Sequence, residues 1–176
     1  ADHIKGNKYE GFSKEIQQGI FLHREIDTFT DAHAIVRKSK RRLHERYRHY
    51  DGVIIDIFYD YFLAKNWSEY SVIPLDVYTD SVNKLFNEIS AELPVKSQNF
   101  IKYMIEYNIL FNYQFKDGIE RVLKGMNSRT KGKSKMDLVI EDLRNLEAEF
   151  EQDFTLFFKD LIANTNQKLN EITTYI

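Results

Sequence analysis

Residues 23–31 read HREIDTFTD and set one imidazole, His23, ahead of two carboxylates, Asp27 and Asp31, at steps of four. On a helix such steps stack side chains along one face. A second acidic pair, Asp56 and Asp60, again four apart, stands among Val53, Ile54, Ile55, Ile57, Phe58, Phe62 and Leu63. An apolar set that wide leaves little helix surface for water, so at least one of these aspartates is expected near the core. A buried carboxylate needs a cation, an Arg or Lys partner, or a proton. Two chemistries follow. One is a metal centre, since an imidazole with carboxylates is an N/O donor set that suits manganese, iron or magnesium better than structural zinc. The other is ordinary ion pairing along a narrow polar stripe.

Helices must position these groups. Ser13 is an N-cap for a first helix with Ile16, Ile20 and Ile26 on its apolar face, and that helix carries His23 and Asp27. A second helix is expected to start at Thr30 or Asp31 and to run to Tyr50, broken by Asp51-Gly52. A third covers 52–67. A fourth follows Pro74, over 75–93, with Val77, Val82, Leu85, Phe86 and Ile89 as its apolar positions, and Pro94 ends it. A fifth covers 97–113 and a short sixth 116–125, before the polar loop GMNSRTKGKSK at 125–135. Val139, Leu143, Leu146, Phe150, Phe154, Phe157 and Leu161 recur at spacings of three and four, which predicts one long last helix that frays beyond Ala163. The fold class is all-α, a single-domain helical bundle over residues 1–176.

Composition narrows the function. The chain has 176 residues, 43% of them hydrophobic, enough to bury a core. Cysteine is absent, which excludes a disulfide framework, a thiolate nucleophile and a Cys-type zinc site, and fits a cytoplasmic setting. No apolar run reaches the roughly 18 residues that a membrane span needs. The formal charge of −2 hides a basic segment, VRKSKRRLHERYRH at 36–49, where Arg37, Lys38, Lys40, Arg41, Arg42, Arg46 and Arg48 face one acid, Glu45. Such a run attracts an acidic protein, nucleic acid or an anionic membrane, or is a solvated helix face. No nucleic-acid-binding signature accompanies it. Its start just after Asp31 favours an acidic partner or a phosphate-bearing substrate near the proposed metal site. The residues alone therefore leave two readings open: a metalloenzyme, and a non-catalytic module that binds an acidic partner through its basic helix.

Four blocks, ADHIKG (1–6), GIFLHREIDTFTDAH (19–33), DIFYDYFLAKNW (56–67) and VLKGMNSR (122–129), occur in order. Together they resemble the acyl carrier protein phosphodiesterases, or ACP hydrolases, and the resemblance covers most of the chain. The H-R-x-I-D-x-x-T-D block is its most specific part. It implies an HD-domain-like helical fold, related to the HD-type phosphohydrolases, and hydrolysis of 4′-phosphopantetheine from the serine of holo-acyl carrier protein, a reaction of fatty acid and lipid metabolism. It implies Mn²⁺ as cofactor, with Mg²⁺ or Fe²⁺ as alternatives. By the resemblance His23, Asp27 and Asp60 are metal ligands, with Asp2 a further ligand or the base that orients water, so that Asp2, His23 and Asp27 form the catalytic set. Arg24 contacts phosphate or forms a salt bridge. Asp31 supports the site from outside or caps the next helix, and Asp56 supports it or makes an ordinary ion pair. Arg41, Arg42 and Arg46 are candidate docking residues for the acidic carrier. Arg129 binds phosphate or caps a helix C-terminus. For Trp67 and Tyr59, core packing is favoured over lining a substrate channel. The chain departs from the family pattern at Tyr61, where a histidine is usual, and at His3, where phenylalanine is usual. The family's segment upstream of the A-D block is expected to be missing. The alternative within the same chemistry is an HD-type phosphohydrolase acting on nucleotides or another small phosphodiester.

Overall fold

Ser13 opens the first helix as its sequence position requires: in this computed structural model, which describes residues 10–93 and 95–174, its Oγ accepts the Ile16 N–H at 3.4 Å. The helix, α1, spans Lys14–Ala32. Every regular element among the described residues is helical: α2 (Ala34–Tyr47), α3 (Asp51–Lys65), α4 (Leu75–Ile89), α5 (Val95–Glu106), α6 (Ile109–Asn112), α7 (Lys116–Arg129), α8 (Val139–Asn145) and α9 (Glu147–Thr174), with short 3₁₀ turns between several of them. None of these helices is long and apolar enough to cross a membrane. The chain forms two compact helical units, one reaching to Leu43 and resuming at Glu149, the other His44–Ala148.

In the first unit, Ile20 of α1, Val36 and Leu43 of α2, and Phe150, Phe154 and Phe157 of α9 are buried. Each buried phenylalanine contributes about 1.5–3 kcal/mol. Phe29 stacks on Phe157 with ring centroids 6.4 Å apart, and His33 meets the same ring edge-on. Asp153, 1% exposed, accepts hydrogen bonds from Lys38, Ser39 and Arg42. Burial works to raise its pKa, but the bonds from Arg42, Ser39 and Lys38 outweigh it and hold the carboxyl below its ordinary range.

In the second unit α3 is covered on nearly every side. Ile54, Ile55, Ile57, Phe58, Tyr59, Tyr61, Phe62 and Ala64 are all buried, as a continuous apolar run demands. Ile119 and Leu123 of α7 and Val139, Ile140 and Leu143 of α8 complete the apolar interior. Gly118 lets α7 approach the preceding turn: a Cβ there would stand 1.9 Å from the Asn112 carbonyl oxygen.

Several boundaries differ from the sequence reading. The second helix does not begin at Thr30 or Asp31. α1 continues through both, and His33, in extended geometry, separates it from α2. Asp51-Gly52 does not break a helix either; it forms the first turn of α3, and the break lies at Arg48, whose φ is 55°. α5 stops at Glu106 because Asn108 adopts a left-handed conformation, φ 44°, which asparagine tolerates. α7 runs on to Arg129, so the polar loop begins only at Thr130. The last helix is two, α8 and α9, parted at Leu146. There Glu147 is tied by its carboxylate to Tyr61 Oη at 2.8 Å and Lys116 Nζ at 2.5 Å, bonds that no local pattern announces. The apolar face of α4 is only partly the expected one: Val82 and Phe86 line a cavity with Leu75 and Thr79, while Val77, Leu85 and Ile89 are exposed.

Candidate active site

Because α3 is buried on both flanks, its only open stripe carries Asp56 and Asp60, one turn apart. Both aspartates keep access to solvent, and Asp60 lies near the core, as expected for one of the pair. Asp60 nevertheless sits in unusual surroundings. It lines two adjoining cavities of 290 and 260 Å³, at the lower end of ordinary ligand pockets. Burial among apolar walls pushes its pKa up to about 7, and the negative charge of Asp56 adds to the shift. The carboxyl thus changes charge near neutral pH.

The two cavities share Asp60, Met104, Leu110 and Tyr113. The first continues along Leu63, Trp67, Leu75, Val82 and Phe86 and is almost wholly apolar. Trp67 is therefore a wall residue as well as a packing residue. Its indole N–H donates to the Ile73 carbonyl at 2.7 Å, and its ring lies 4.7 Å from that of Tyr78. Tyr59 is buried in the core, as expected. The second cavity runs to Gly125, Met126 and Arg129 at the end of α7. Residues of the DIFYDYFLAKNW and VLKGMNSR blocks, 65 or more positions apart in some pairs, so share one wall. Sequence reasoning missed Tyr113. Burial, then the charges of Asp60 and Tyr103, pushes its phenol well above the ordinary value. It caps the one-turn helix α6, and nothing in its local pattern marks it.

Tyr61, which replaces the family's histidine, points elsewhere. It is 3% exposed, and its hydroxyl donates to Glu147. Burial raises the Glu147 pKa, and the bonds from Lys116 and Tyr61 more than reverse this.

In the first unit α1 places His23 and Asp27 side by side, Nδ1 to Oδ2 at 2.8 Å, with both side chains partly open to solvent. That is the i, i+4 contact the spacing implied. An imidazole next to a carboxylate fits two positions of an N/O set for a hard divalent cation. Among the described residues no three His, Asp or Glu side chains gather as a metal-holding group, and Asp2 lies outside those residues. Arg24 is half-buried on the same helix. Asp31 is neither an N-cap nor buried: it pairs with Lys40 at 3.0 Å, and its carbonyl accepts from Arg37 Nε at 3.3 Å.

The basic segment is less free than its composition suggests. Arg42 is held by Asp153 and lies over the Phe150 ring, and Arg46 bonds both oxygens of Asp142 at 3.2 and 3.1 Å. Tyr47 donates to Asp142 as well. Arg41 is exposed and makes no such pair among the described residues.

Comparison with known proteins identifies relatives along nearly the whole chain. A family model described as acyl carrier protein phosphodiesterase matches residues 1–161. A protein named acyl carrier protein phosphodiesterase from Klebsiella pneumoniae (strain 342) is 29% identical over 172 residues, covering 96% of this chain and 88% of the relative. One of the same name from Escherichia coli (strain K12 / DH10B) is 28% identical over the same shares. No solved structure matches.

Proposed function

The chain belongs to the acyl carrier protein phosphodiesterase family, and on that premise we propose that it hydrolyses the phosphodiester joining 4′-phosphopantetheine to the serine of a holo-acyl carrier protein, leaving apo-carrier and free 4′-phosphopantetheine. The observation that carries this reading is the apolar recess around Asp60, shared by two of the family blocks and edged by an arginine. A flexible, largely uncharged arm ending in a phosphodiester needs that combination: apolar walls for the arm and a cation for the phosphate.

In the reaction a water oxygen forms a bond to phosphorus, the bond from phosphorus to the serine oxygen breaks, and a proton passes to the departing serine oxygen. His23 and Asp27 are the two adjacent donors that would hold Mn²⁺, and the resemblance adds Asp2 and Asp60 to the ligands. When bound, such an ion supplies Lewis acidity toward a phosphoryl oxygen and lowers the pKa of water. Arg129 orients the phosphate with a planar pair of N–H donors. Trp67, Leu75 and Phe86 exclude water from the walls beyond Asp60. Arg41, exposed on α2, is available for the encounter with an acidic carrier, whereas Arg42 and Arg46 already have carboxylate partners.

Mass spectrometry of a holo-carrier protein incubated with the enzyme and Mn²⁺ tests the proposal. The carrier should lose the mass of phosphopantetheine and gain the free serine of the apo form. A carrier that keeps its prosthetic group across several carrier proteins overturns the reading.

A further inference from the structure

Arg129 closes α7 in the wall of the Asp60 recess, and Lys131, Lys133 and Lys135 follow it at every second residue. All four side chains are exposed, and among the described residues none is matched by a carboxylate. Several other cations are matched: Lys38, Lys40, Arg42, Arg46, Lys65, Lys116 and Lys124 each lie within salt-bridge distance of an acid. The nearest following acid, Asp137, accepts from the Asn127 side-chain amide at 2.7 Å and so is held by a neutral group.

The turn that carries these charges is built rather than loose. Ser134 is 1% exposed; its hydroxyl donates to Asn127 Oδ1 at 2.9 Å and accepts from Thr130 Oγ1 at 2.9 Å. The Gly132 N–H donates to the Asn127 carbonyl at 2.9 Å. Lys131 and Lys135 hold left-handed backbone, φ 55° and 54°, on either side of Gly132 at φ 78°. A left-handed residue with a side chain costs about 1–2 kcal/mol, and glycine or asparagine would relieve it. Reversing the chain does not need lysine at those two positions. Lysine there adds positive charge to the turn that follows Arg129, a residue of the recess wall.

We infer that residues 129–135 form the docking surface for the acidic face of the carrier protein whose phosphodiester enters the Asp60 recess. This rests on the proposed function and adds to it where the protein partner sits. It also shifts the main electrostatic contact away from the basic segment of α2, where the internal acids Asp31, Asp142 and Asp153 neutralise much of the charge. Exposed, unmatched cations act mostly on encounter and are screened by salt.

The test is steady-state hydrolysis of holo-carrier protein by wild type, by the double variant Lys131→Glu/Lys133→Glu, by Arg41→Glu, and by Lys159→Glu as a control at an exposed cation of the other unit. The double variant should raise KM for the carrier about ten-fold or more and flatten its dependence on salt, with Lys159→Glu unchanged. Melting temperatures show whether each variant is folded, and Lys131→Gln/Lys133→Gln, which removes charge without reversing it, should give a smaller rise in the same direction. A double variant within about two-fold of the wild-type KM and salt slope overturns the docking assignment while leaving the proposed function standing. An Arg41→Glu loss larger than that of the double variant overturns it in favour of α2. A wild-type enzyme that leaves every carrier intact overturns both.

Discussion

The imidazole of His23 lies 2.8 Å from the carboxylate of Asp27, one turn further along α1, with both side chains reachable from solvent. A pair so placed does little for stability, since exposed i, i+4 contacts contribute only a few tenths of a kcal/mol. Its value lies in presenting a nitrogen and an oxygen donor together.

His23→Ala should therefore leave the fold intact and abolish function. Loss of groups that merely support a metal ligand costs about 10–100-fold, so loss of a ligand should lower phosphopantetheine release by more than about 100-fold. Calorimetric titration with Mn²⁺ should show weakened binding at an unchanged melting temperature. Full activity in the variant would remove His23 from the site.

Asp60 gives a pH signature. Its carboxyl titrates at about 7 in the folded protein against 3.8 for an unperturbed group. Between those values the folded state keeps a proton that the unfolded state has lost, so stability falls as pH rises from 4 to 7 and stays lowered above that. Asp60→Asn removes the titration. With a chelator present, the variant should melt higher than wild type near pH 8, and the gap should narrow steadily toward pH 4. Hydrolysis of holo-carrier should be lost. A gap that is constant with pH would show that Asp60 titrates normally.

Gly118 tests how closely α7 must approach the turn that carries Tyr113. A Cβ would fall 1.9 Å from the Asn112 carbonyl oxygen and 2.7 Å from its carbon, both backbone atoms that cannot swing aside. Gly118→Ala should cost about 1–3 kcal/mol, despite alanine's better helix propensity, and lower the urea midpoint. An unchanged midpoint would mean that the two segments can separate freely.

The sequence determined the class of fold and the local chemistry. Periodicity placed α1 around Ser13, His23 and Asp27, marked α3 as a helix buried on both flanks, and found the buried apolar positions Val139 and Leu143 of α8 and Phe150, Phe154 and Phe157 of α9. These are near-neighbour properties, set by spacings of three and four residues, and they can be read without knowing what packs against what. The family blocks added the reaction on the same local basis. What depends on distant residues was not readable. The parting of α8 from α9 accompanies the bonds of Glu147 to Tyr61 and Lys116, remote in the chain. The internal pairing of Arg42 and Arg46 follows from acids about a hundred positions away, so a run that reads as free charge is partly neutral. The elevated pKa of Asp60 and the recess it shares with Tyr113 and Arg129 arise only when α3, α4, α5 and α7 enclose one space. Spacing along the chain fixes which side chains share a helix face, but desolvation depends on every atom nearby, and the tertiary fold alone decides which atoms those are.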